Sequence, residues 1–205
     1  MLPGKISKTP LWDIIKNCEL TANEEKKLSE YCKKKKILFL STPFSISAID
    51  RLEKIKMPAY KIGSGELTNI PFLKHIAKKK KPVILSTGMS NMEEIKFAVE
   101  LFKKSKTPLA ILQTTSEYPC DYKDINLGVI SKYKKNFKIP IGISDHSLGI
   151  YTALGAVALG ACIVEKHITL DKKMPGPDQK LSLEPKELTE LVKGCKVIKQ
   201  ALGES

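Results

Sequence analysis

A chain of 205 residues, 42% apolar and 28% charged, can bury one sizeable core and is short for two domains. No apolar stretch reaches transmembrane length, the start MLPGKISKTP lacks a signal-peptide core, and the five cysteines (Cys18, Cys32, Cys120, Cys162, Cys195) form no CxxC pair, so the expected setting is a cytoplasm with reduced thiols. The net charge of +13 comes from lysine, with Arg51 the single arginine; a surface so poor in guanidinium forks is ill suited to reading nucleic-acid bases and offers at most a mild pull on anionic substrates.

Residues 1–20 read as a lead-in segment. Thr21-Ala-Asn-Glu24 then has the spacing of a capping box and opens a helix that runs to the lysine run 33–36. ILFLS (37–41) predicts a first strand, and PAYKI (58–62) a second that leads into a Gly-Ser-Gly turn and Glu66. Pro71 suits the first turn of the next helix, which ends at the lysine run 78–81. PVILS (82–86) predicts a third strand, followed by a box at Ser90-Asn-Met-Glu93. LAILQ (109–113), PIGIS (140–144) and CIVEK (162–166) complete six predicted strands. GIYTALGAVALGA (149–161) is apolar almost all round, which predicts a helix packed against other protein; the last helix, about 184–202, has Pro185 in its first turn and ends at Gly203.

Strands that are apolar at nearly every position, spaced by one helix each, indicate α/β architecture with a parallel sheet. The dinucleotide-binding form is disfavoured because no GxGxxG opens a helix. Polar residues gather instead at the C-terminal ends of the predicted strands: Ser41 and Thr42, Lys61 with Ser64 and Glu66, Ser86 and Thr87, Gln113 to Thr115, Ser144 to His146, and Glu165 to His167. In a (β/α)8 barrel those ends converge on one mouth. The expectation is one incomplete barrel over 1–205, its strand–helix units spanning 21–205, with about six of the eight parallel strands a closed barrel needs.

Several of these residues suit chemistry. His146 and His167 close successive strands; each alone reads most simply as a hydrogen-bonded structural residue, whereas side by side they form a half-site for a divalent metal, with carboxylate or water completing it. Asp178, in the loop after the last strand, can reach back to the same place. KIGSGE (61–66) and LSTGMS (85–90) each offer hydroxyls and open backbone N–H groups, and the first adds an ammonium; the bland reading is two turns that need glycine, the functional one an anion site. Lys61 is alternatively a Schiff-base lysine. Ser116 and Tyr118 in TTSEYP supply hydroxyls or merely line a loop, and Glu66 is a general acid or base or a surface partner of a lysine.

In order along the chain, STPF (41–44), KIGSGE, LSTGM, TTSEYP, SDHSLG (144–149), EKHITLDKKMPGPD (165–178) and SLEP (182–185) resemble the catalytic barrel of the N-acetylneuraminate (sialic acid) synthase family, which includes synthases of legionaminic and pseudaminic acid. The resemblance runs from about residue 12 to the C-terminus. It implies condensation of phosphoenolpyruvate with an N-acylated amino sugar such as N-acetylmannosamine, with release of phosphate and with Mn²⁺ or Mg²⁺ as cofactor. It assigns His146 and His167 to the metal. Thr42, Lys61, Ser64, Ser86, Ser116, Tyr118 and Ser144 fall to phosphoenolpyruvate, and Glu66 and Asp178 to acid–base work beside the amino sugar. Position 116 is Ser where a relative can carry Asn.

Two departures accompany the resemblance. The family barrel starts with two further strands, bearing a glutamate and a lysine used with the substrates, and it continues into an antifreeze-like domain. The expectation is therefore a shortened barrel that self-associates or associates with a missing N-terminal segment. The alternatives are a non-catalytic fragment, half of a split synthase, or another phosphoenolpyruvate-dependent 3-deoxy-sugar-acid synthase.

Overall fold

The computed structural model describes residues 10–203. Five strands, β1 (Tyr60–Ile62), β2 (Val83–Ser86), β3 (Leu109–Thr114), β4 (Ile141–Asp145) and β5 (Ile163–Lys166), pair in chain order and all in parallel. Around them lie α1 (Leu11–Cys18), α2 (Ala22–Lys34), α3 (Ile46–Lys54), α4 (Ile70–Lys78), α5 (Met92–Lys104), α6 (Gly128–Asn136), α7 (Tyr151–Ala158) and α8 (Pro185–Ala201). A doubly wound sheet reverses its strand order at a switch point, whereas a barrel keeps sequence order throughout. The unbroken order β1 to β5 is that of a partial (β/α)8 barrel.

Side-chain alternation divides the strands into two jobs. Tyr60, Ile62, Val83, Leu85, Leu109, Ile111, Ile141 and Ile143 point to the helices and pack with Ile49 and Leu52 of α3, Leu73 and Ile76 of α4, Ile95 and Phe102 of α5, and Ile130 of α6. Each of these, fully buried, contributes roughly 1.5–3 kcal/mol relative to exposure. The intervening residues Lys61, Ser86 and Ser144 belong to the opposite face of the sheet; Lys61 pairs with Ile84, Ser86 with Leu112 and Ser144 with Thr114, so each lies two register positions further along than the one before. Helix α7, read from the sequence as apolar almost all round, packs on α8, where Leu154 lies against Gly194, but leaves Tyr151 exposed.

Two expectations change. The run 37–41 forms no strand among the described residues; Ile37 and Leu38 are exposed, and the Ser41 N–H meets Met57 Sδ at 3.2 Å. Apolar pattern reports a capacity for burial, but a strand also needs a ladder neighbour, and β1, only three residues long, pairs with β2 alone. The second capping box sits one residue later than Ser90…Glu93: Asn91 Oδ1 accepts from the Glu93 and Glu94 N–H groups, and Glu94 Oε2 accepts from the Asn91 N–H at 2.8 Å. Asn is as strong a cap as Ser, and here its glutamate partner is in reach. The box at Thr21 and Glu24 and the helix start at Pro185 stand as predicted. Of the lead-in segment, residues 1–9 lie outside the described residues, and Leu11–Cys18 form α1.

Candidate active site

The C-terminal ends of β1 to β5 bring most of the predicted polar residues together. On β1, Lys61 Nζ donates to Ser86 Oγ on β2 at 2.8 Å and stands 3.5 Å from Glu165 Oε2 on β5. Burial lowers the Lys61 pKa below the usual lysine range, and the charge of Glu165 opposes that shift. Ser64 follows in a 3-10 turn, and its Oγ accepts the Gly88 N–H at 3.0 Å. A Cβ at Gly88 would meet the Ser116 and Ser64 hydroxyl oxygens, so three loops crowd onto that one glycine. Two groups of polar atoms thus line the ends of β1 to β3: the half-buried Lys61 ammonium with Ser86, and the Ser64 and Ser116 hydroxyls packed at Gly88.

The histidines adjoin this cluster. His146 is buried, and its Nδ1 lies 2.7 Å from the Thr115 carbonyl. A carbonyl only accepts, so Nδ1 carries the hydrogen and Nε2 the lone pair. Ser144 Oγ is 3.4 Å from that Nε2, but its one hydrogen goes to Glu165 Oε1 at 2.7 Å, which leaves the lone pair unclaimed. Burial lowers the His146 pKa below its ordinary value, with the nearby His167 adding to the shift against the Thr115 hydrogen bond. The two imidazole centroids are 5.3 Å apart. His167 Nδ1 is 3.4 Å from Asp178 Oδ2, an ion-pair distance.

Both rings set Nδ1 towards an oxygen, His146 through a hydrogen bond and His167 at ion-pair distance, as happens where a histidine ligates metal and its other nitrogen is held by an outer partner. The donor set fits a divalent metal as a two-imidazole half-site. Among the described residues no third His, Cys, Asp or Glu converges with them, so water or substrate oxygens would fill the remaining positions.

Tyr118 covers the pair, its ring 4.1 Å from that of His146 and 5.8 Å from that of His167. Burial raises the Tyr118 pKa, with Asp178 and Glu165 adding to it. Two predicted residues stand apart. Glu66 Oε2 accepts from Asn69 Nδ2 at 2.7 Å, so its partner is an amide of the following turn and not a lysine. Thr42 is half-buried in the extended segment before α3 and makes no side-chain hydrogen bond among the described residues; its neighbour Phe44 lies against Gly63. Glu165 is the residue whose role the sequence did not single out. It shares the face of His167, two positions on, and strand alternation was the signal that could have found it.

A profile of the NeuB family matches residues 3–205. The chain is 44% identical over 194 residues to the N,N'-diacetyllegionaminic acid synthase of Campylobacter jejuni, an alignment covering 93% of this chain and 58% of that protein. It is 40% identical over 189 residues to the N-acetylneuraminate-9-phosphate synthase of Homo sapiens, covering 92% and 53% respectively. The N-acetylneuraminic acid (sialic acid) synthetase of Leptospira borgpetersenii, solved in complex with citrate, superposes with a TM-score of 0.92 at 41% identity, over 94% of this chain and 68% of that one. The chain thus spans a little over half the length of the curated relatives it matches. On the family profile and on this identity, the chain belongs to the NeuB family.

Proposed function

We propose that this chain forms the phosphoenolpyruvate- and metal-holding part of a sialic-acid-type synthase, which condenses phosphoenolpyruvate with an N-acylated amino sugar such as N-acetylmannosamine and releases phosphate. The observation that carries this reading is that Glu165 links the half-buried Lys61, which donates to Ser86, to Ser144 beside His146, whose Nε2 lone pair is unclaimed and whose ring lies 5.3 Å from that of His167. Lys61 and the hydroxyls of Ser64, Ser86, Ser116 and Ser144 suit the phosphate and carboxylate of the enol substrate, charge-assisted donors being the strong ones. Tyr118 closes one wall, and Thr42 is assigned to the same substrate from the resemblance.

Mn²⁺ or Mg²⁺ held by His146 and His167 would act as a Lewis acid toward the sugar aldehyde. Carbon–carbon bond formation joins C3 of the enol to that aldehyde, water adds at C2, and phosphate leaves from the same carbon. Lys61 and its hydroxyls offset the charge that grows on the departing phosphate. Asp178, 3.4 Å from His167, takes the proton of the water in this reading, and Glu66 is assigned to the sugar side. The exposed apolar residues Ile37, Leu38 and Phe44 fit association, either of identical chains or with a segment supplying the first strands of the family barrel. A cytoplasmic setting suits both substrates.

Calorimetric titration of phosphoenolpyruvate into the chain with Mn²⁺ present tests the assignment. Binding is expected for the unaltered chain and a loss of at least about tenfold for Lys61→Met, since a charged hydrogen bond contributes about 1.5–3 kcal/mol. Equal affinity of the two proteins would contradict it.

A further inference from the structure

Next to each imidazole lies a charged residue that the synthase reading does not use. Asp145 precedes His146 on β4, Lys166 precedes His167 on β5, and the two are register partners across the strands. Because side chains alternate, they point away from the mouth while Ser144, Glu165 and the imidazoles share the other face. Lys166 Nζ is 3.0 Å from Asp145 Oδ2, and the side chains are 3% and 0% exposed, so this pair is as deeply buried as the core. The carboxylate is saturated. Thr152 Oγ1, from the first turn of α7, donates to Oδ2 at 2.6 Å, and the Ser147 N–H and Oγ donate to Oδ1 at 2.9 and 2.7 Å. Lys166 Nζ also donates to the Ser147 carbonyl, which ties the loop leaving β4 to the end of β5.

A buried ion pair is a poor source of stability. Taking both charges out of water costs about what their attraction returns, and well-packed neutral residues often do as well or better. What such a pair does supply is a fixed geometry, and here the geometry concerns the two residues that carry the imidazoles. The Ser144–Glu165 contact at 2.7 Å on one face, two positions before the histidines, and the Asp145–Lys166 contact on the other, one position before them, pin the two strand ends from both sides.

We propose that the Asp145–Lys166 pair, braced by Ser147 and Thr152, is a positioning clamp that holds His146 and His167 at the spacing needed to ligate one divalent metal ion. The inference rests on the metal reading above and deepens it. Neither charged residue touches the metal or substrate; both act through the strand ends.

The test is Mn²⁺ affinity, read from the free-ion signal in electron paramagnetic resonance, beside thermal melting of the same proteins. Asp145→Asn with Lys166→Met removes both charges together and keeps an acceptor for Ser147. It is expected to melt near the unaltered chain yet bind Mn²⁺ about 10–100-fold more weakly, the range known for outer-shell changes. A double variant that melts alike and binds within twofold would overturn the clamp. Should it fail to fold, Thr152→Val, which removes one donor from the paired oxygen, decides instead: several-fold weaker binding supports the clamp and unchanged binding overturns it. His146→Ala serves as control. If the unaltered chain binds no Mn²⁺, or His146→Ala binds it equally well, the metal reading itself fails and the clamp fails with it.

Discussion

Gly88 lacks a side chain where three loops meet. Its N–H donates to Ser64 Oγ, and any Cβ there would press on the Ser64 and Ser116 hydroxyls. Gly88→Ala is therefore expected to part the turns after β1 and β2 and to lower affinity for phosphoenolpyruvate by roughly tenfold, with a small loss of stability, of order 1 kcal/mol. Calorimetry and a melting curve on the variant check both halves. His146 yields a pH prediction. Its folded pKa lies below the ordinary histidine value of 6.5, chiefly through burial. Below that ordinary value the unfolded chain takes up a proton that the folded chain resists. The stability from a neutral His146 is then present above about pH 6.5 and lost as pH falls. Melting temperature is expected to drop between pH 8 and 5.5, and to drop less in His146→Gln; equal drops would remove His146 from the account.

Among the elements, β4 is an interior strand, paired on both sides, and has no room to spare. All five of its residues are buried, and a Cβ on Gly142 would lie 2.5 Å from Leu112 Cδ2 on β3 and 2.6 Å from the Ile163 carbonyl on β5. Gly142→Ala is accordingly expected to destabilise the chain by about 1–3 kcal/mol, as overpacking does, seen as a lower denaturant midpoint. A midpoint equal to that of the unaltered chain would mean the strands can part there freely. The helices are set by local signals instead. Thr21 with Glu24 and Asn91 with Glu94 each close a full capping box, so α2 and α5 start where their own sequences dictate. That contrast explains what could be read in advance. Helix starts, the apolar runs of β1 to β5 and the histidines at two strand ends are properties of neighbouring residues. Strand status for 37–41 is not, because it depends on a ladder partner that local pattern cannot reveal.

For the whole molecule, the parallel order β1 to β5 turns five separate strand ends into one polar surface. Sequence reading reached Lys61, Ser64, Ser86, Ser144, His146 and His167 because each lies at or just past the end of a strand. It also reached Asp178, whose loop returns to His167 across eleven residues. What escaped it were relations between strands: Glu165 bridging Ser144 and Lys61, the packing of Gly88 on Ser116, and the buried Asp145–Lys166 pair. Each needs the register, which no single stretch of sequence contains. The central claim is that this surface serves a condensation of phosphoenolpyruvate with an amino sugar. The direct measurement is phosphate release from phosphoenolpyruvate with N-acetylmannosamine and Mn²⁺, by the chain alone and with the leading barrel strands of a relative supplied as a separate polypeptide. The account predicts release that requires both substrates and the metal and that is lost in Lys61→Met; no release in either arrangement would contradict it.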